Sequence, residues 1–120
     1  MNMRTHGVAL AMVMALFGTG CASRTELKPQ SWAIAVQTAE TREAHERLAA
    51  HYDEIAQTMD ADAAEERAML QQYEANPHKY GKRLTDMKSQ AGAMIRDFER
   101  AAEESRRMAA YHRQMGKESP

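Results

Sequence analysis

From residue 80 to residue 115, large or small apolar side chains return alternately every four and every three positions: Tyr80, Leu84, Met87, Ala91, Met94, Phe98, Ala101, Ser105, Met108, His112 and Met115. A mean step of 3.5 lies close to the 3.6 residues of an α-helical turn and far from the 2 of a strand. The stripe therefore stays on one side of a helix for about five heptads, as in a coiled coil. Nine of the eleven positions are apolar or aromatic, so this helix must cover one face with another helix.

The partner lies upstream. Residues 32–75 hold no proline or glycine and are rich in Ala, Glu, Arg, Leu and Gln, which predicts one long helix with Ser31 as its N-cap. Its seam is poorer: Ile34, Thr38, Thr41, His45, Leu48, Tyr52, Ile55, Met59, Asp62, Glu66, Met69 and Tyr73. Asn76-Pro77-His78-Lys79 breaks it, because proline has no amide hydrogen and disfavours helical geometry at the preceding residue. The second helix runs from Tyr80 or Lys82 to about Gly116. Folding back at Pro77 places Tyr73 beside Tyr80, Met69 beside Leu84, Met59 beside Met94, Ile55 beside Phe98 and His45 opposite Met108, with Ala49, Ala56 and Ala63 flanking the seam to allow close approach. The expected fold is all-α: an antiparallel helical hairpin with coiled-coil-like packing, helices at about 32–75 and 80–116, and arms of roughly 55 to 65 Å at 1.5 Å per residue. The competing arrangement has three helices, with a break near Asp62 where Asp62-Ala63-Ala64-Glu65 resembles a capping box. A hairpin alone leaves one side of its stripe uncovered, so self-association or another envelope protein is expected to cover it.

Only about 100 of the 120 residues remain once a leader is set aside, enough for a single small domain. A net charge of -1 with acids and bases interspersed argues against nucleic acid and against an anionic membrane surface as partners. The single cysteine excludes an internal disulfide and stands at the end of an apolar stretch.

That stretch has the three parts of a signal peptide: Arg4 in a basic start, an apolar middle from Val8 to Phe17, and small residues at Thr19-Gly20-Cys21. It is too short to span a hydrocarbon core of roughly 30 Å. Thr19-Gly20-Cys21 resembles the lipobox of bacterial lipoproteins, with Gly18 standing where that family usually has leucine. The resemblance implies a diacylglyceryl thioether on Cys21, cleavage before it and acylation of the new amino terminus. It divides the chain into a signal peptide (1–20), a lipidated tether (21–31) and a helical domain (32–120). Ala22, in place of the aspartate that retains such proteins in the inner membrane, implies the periplasmic face of the outer membrane. The competing reading is an ordinary secretory cut near Ala22 or Ser23. The mature part is also similar to small helical lipoproteins through Ala44-His45-Glu46-Arg47-Leu48-Ala49-Ala50-His51-Tyr52 and Met108-Ala109-Ala110-Tyr111-His112-Arg113-Gln114-Met115, which implies a fold and no activity.

Chemistry-bearing residues are few. His45, Met108, His112 and Met115 gather on the two seams at the end farthest from the turn, a soft donor set suited to copper(I), although methionine on a seam also serves as adaptable core. His51 and His78 have no second ligand at helical spacing and read as surface residues. Asp62 and Glu66 share a helical face and are expected to be solvated or to meet Lys88 or Arg83. No nucleophile elbow or phosphate loop accompanies Ser89 or Ser105, so no enzyme is expected, and no cofactor beyond the covalent lipid. Trp32 serves either at the headgroup level of a membrane or as a staple on its own helix. The sequence thus predicts a membrane-anchored structural or protein-interaction module, with copper binding as its competitor.

Overall fold

The computed structural model describes residues 31–120; the signal peptide, Cys21 and the tether up to Gln30 lie outside the described residues. The chain is all-α, in the order α1 (Trp32–Gln37), α2 (Arg42–Ala75), two 3-10 turns (Pro77–Lys79 and Gly81–Arg83) and α3 (Leu84–Glu118). The long helices α2 and α3 pack antiparallel as a hairpin, as the two periodic stripes require. With 34 and 35 residues they are about 51 and 52 Å long.

The first helix is not continuous, and the break is not at Asp62. Asp62 lies inside unbroken α2, and its neighbour Asp60 holds Arg106 of α3 with Oδ2–Nη1 at 2.9 Å and Oδ1–Nη2 at 3.3 Å. The chain instead leaves the helix at Thr38 and re-enters after Thr41. Two threonine hydroxyls brace the break: Thr38 Oγ1 donates to the Ile34 carbonyl at 2.9 Å beside the Thr38 amide, and Thr41 Oγ1 accepts from the Ala44 amide at 3.2 Å. Glu43 in the first turn of α2 complements its positive end. Ser31 does cap α1, accepting from the Ile34 amide at 3.4 Å. The short α1 folds against α2, where Trp32 stacks on His51 with centroids 3.8 Å apart.

At the turn, Tyr73 and Tyr80 meet edge to face at 5.1 Å, as the hairpin register predicts. Gly81, at φ 55°, opens the second 3-10 segment and turns the chain there, and the regular helix starts only at Leu84. Residues spent in this turn displace α3, so each level of α2 toward the open end meets a later residue than expected. His45 accordingly faces His112 and not Met108. Gly116 does not end the second helix; it lies buried inside α3, which continues to Glu118.

The seam is also rotated. In α2 the buried positions are His45, Leu48, Ala49, Ala56, Ala63 and Glu66; in α3 they are Ala91, Ile95, Ala102, Ser105, Ala109, His112 and Gly116. Small residues recurring every seven positions, Ala49, Ala56 and Ala63 against Ala102, Ala109 and Gly116, therefore form three of the six buried positions of α2 and three of the seven of α3. The expected seam members Met94, Met108 and Met115 are 44%, 38% and 47% exposed instead. Alanine at these layers lets the helix backbones approach closely, which methionine would prevent. The result is a thin core, in which Leu48 is the only large side chain fully buried among the described residues.

Candidate functional site

The rotation gives the hairpin two unlike faces. In α-helical geometry, positions 53, 60 and 67 of α2 and 99, 106 and 113 of α3 project to one side of the seam. They pair across it: Asp53 with Arg113, Asp60 with Arg106 and Arg67 with Glu99, each pair seven residues from the next. Glu74 and Lys88 continue the series toward the turn at 3.3 Å. Lys88 thus pairs with Glu74 and not with Asp62 or Glu66. Because these charges are half exposed, each pair fixes register more than it adds stability; for Asp60–Arg106 about 0.2–1 kcal/mol is the expected scale.

The opposite face is apolar. Met87, Met94, Ala101, Met108 and Met115 follow one another every seven residues along α3, and Ile55 and Met69 of α2 project to the same side. Tyr111, Ile34 and Val36 add exposed apolar surface toward the open end, at 62%, 60% and 49% exposure. Nearer the turn this face holds a groove of about 440 Å³ lined by Tyr73, Met87, Met94 and Ala91, with Glu66, Arg83 and Asp86 among its polar walls. At the open end, α1 covers Leu48, leaving a smaller hollow of about 230 Å³ between Trp32, Ala35, Ala44 and Leu48.

The open end also carries an aromatic and imidazole file. Trp32 stacks on His51, His51 leans on Tyr52 at 5.6 Å, and Tyr52 stacks on His112 at 5.6 Å with planes 13° apart. His51 is therefore part of the packing between α1 and α2, not the free surface residue expected, and Trp32 is a lid on a neighbouring helix rather than a staple on its own. His78 is exposed at the turn, as expected. At the end of the file, His45 and His112, 4% and 6% exposed, bring their Nδ1 atoms to 3.2 Å. One of the two must donate and the other accept, so this contact holds one hydrogen between two nitrogens. Burial first, and the neighbouring His45 second, lower the pKa of His112 from its ordinary value of 6.5.

Gly116 makes the room for this pair. A Cβ there would come within 3.3 Å of His45 Cβ and 3.5 Å of the Arg42 carbonyl oxygen. The same end is tied by the Arg42 amide, which donates to the Pro120 carbonyl at 3.4 Å. Of the four residues singled out for metal, the structure thus joins His45 to His112 across the helices, while Met108 and Met115 lie on the exposed methionine face. Among the described residues no group of three or more His, Cys, Asp or Glu is placed to hold a metal ion, and no helix is long and apolar enough to cross a membrane. No protein-family model, curated protein or solved structure significantly matches this chain.

Proposed function

We propose that the chain is an envelope lipoprotein whose hairpin is a protein-interaction module, tethered through lipid on Cys21 and associating with a second copy through its methionine face. The observation that carries this reading is the heptad run Met87, Met94, Ala101, Met108, Met115, of which Met94, Met108 and Met115 are left exposed, beside a core made mostly of alanine. Burying a Leu- or Met-sized side chain contributes about 1.5–3 kcal/mol, and the hairpin alone forgoes much of that at three of these positions. A face with the same heptad period as the hairpin's own seam is complementary to another helix pair, and an identical copy supplies one by two-fold symmetry. Methionine suits such a surface because its unbranched chain adapts to the partner. Resemblance of Thr19-Gly20-Cys21 to a lipobox supports the anchor, and Ala22 supports the outer membrane's periplasmic face as its location. Two or more acyl chains make such residence lasting.

Lipid anchoring adds a geometric constraint. Two copies rooted in one membrane stand parallel, so a two-fold axis along the rods puts each residue level with its own counterpart. Met108→Cys should therefore form a disulfide-linked dimer on mild oxidation in native membranes, whereas Glu103→Cys, outside this face, should not. Equal crosslinking at both positions, or crosslinking of Met108→Cys to a different protein only, would refute self-association. Intact mass spectrometry of the membrane-purified protein tests the anchor separately: a chain starting at Cys21 and heavier by two or three acyl groups is expected. An unmodified chain beginning after Cys21 would remove the anchor from this reading.

A further inference from the structure

The geometry points to a metal site at the open end of the hairpin: we propose that His45 and His112 together chelate a d10 ion, Cu+ or Zn2+, through their two Nδ1 atoms. Two imidazole nitrogens bound to one tetrahedral ion at 2.0–2.1 Å stand about 3.3 Å apart. The observed Nδ1–Nδ1 separation of 3.2 Å matches that bite, with each nitrogen delivered by a different long helix. A histidine χ2 is soft, so both lone pairs can turn from the shared hydrogen toward an ion beside it. Metal then takes both Nδ1 lone pairs, and the hydrogen of the donating Nδ1 is exchanged through solvent to Nε2 of the same ring, so that both imidazoles bind as neutral ligands.

The surroundings are those of a held pair. Tyr52 stacks on one side of His112, and Gly116 leaves a close space for His45 that any side chain would crowd. Both rings are almost entirely buried, so the chelate needs little further ordering. On α3, Met115 follows His112 by three residues, a spacing at which helical side chains are neighbours, and at 47% exposure it is free to turn toward the pair. Met115 is thus the thioether available as a third ligand, and a thioether favours Cu+.

The test uses the full-length lipoprotein in detergent, stripped with a chelator and then given Zn2+ alone or Cu+ alone. Binding of one ion per chain is expected, with Tm raised by about 5–10 °C at a tenfold excess over Kd. His45→Asn and His112→Asn, which keep an amide nitrogen near the Nδ1 position, should each abolish the rise while retaining helical circular dichroism in chelator. A Cu+ preference that collapses in Met115→Leu would assign the thioether. Absence of any rise with both ions, or a rise unchanged in both asparagine variants, overturns the site. Should either variant unfold, imidazole nitrogen NMR of the wild-type chain decides: metal must shift His45 and His112 and leave His51 and His78 in place, and the converse pattern overturns the proposal.

Discussion

The contact between His45 and His112 ties the fold to pH through one residue in particular. Two facing Nδ1 atoms at 3.2 Å accommodate one hydrogen, and a second proton would bring two N–H groups head to head in a buried layer. His112 accordingly takes up its proton less readily folded than unfolded, because burial and then His45 disfavour its charged form. A group whose pKa is lower in the native state binds more protons when unfolded, so its contribution to stability is intact above the unfolded value of 6.5 and is lost as pH falls from there toward the lower folded pKa. In chelator, Tm should be flat above pH 7 and decline as pH falls below about 6.5, and His112→Asn should remove that part of the decline. A wild-type Tm unchanged over that fall in pH would mean that the imidazoles have moved apart. Neither histidine is conspicuous in the sequence beyond its place on a seam, and the pairing of one with the other depends on how many residues the turn consumes. Gly116 carries the opposite lesson. A glycine near the end of a periodic stretch looks like a C-terminal stop, and only the presence of His45 across the interface distinguishes a stop from a close approach.

Among the elements, the hairpin was legible because its causes are local. Pro77 ends one helix, heptads on both sides demand a partner, and a short connection leaves the antiparallel arrangement. The angle of the seam is less local. Positions 48, 55, 62 and 69 and positions 49, 56, 63 and 70 both satisfy a 4–3 alternation with the shared members at 45, 52, 59, 66 and 73. Hydropathy favours the first set, which holds Leu48, Ile55 and Met69; the close packing of backbones favours the second, which holds the alanines. The second prevails at Ala56 and Ala63, 2% and 1% exposed, while Met69 remains 37% exposed. The break at residues 38–41 carries no sequence signal for a similar reason, since it uses two threonine hydroxyls and neither proline nor glycine. Ala56→Leu tests the rotated seam. The two residues are nearly equal helix formers, so a substitution on an exposed flank would leave stability within about 0.5 kcal/mol. In the alanine layer it should destabilise the hairpin by about 1–3 kcal/mol through overpacking, read from denaturant midpoints.

For the molecule as a whole, the two faces divide the work. Pairs from Asp53–Arg113 to Glu74–Lys88 close one side with opposite charges, reversed in sign at Arg67–Glu99, and leave α2 and α3 one favourable register. The methionine side has no such closure, and a hairpin whose core is mainly alanine has little burial in reserve. If a second copy supplies the missing burial, folding and association are linked, and the native state gains stability by mass action. Tm should then rise with protein concentration, by several degrees over a hundredfold range, and light scattering should report a dimer. Met94→Lys together with Met108→Lys places two charges in that face without touching the alanine layers. This variant should be monomeric and helical, with a Tm lower than that of the wild type and independent of concentration. A wild-type Tm already independent of concentration, with a monomer in solution at every concentration, would show that the hairpin is sufficient by itself and that the methionine face serves a partner of another kind.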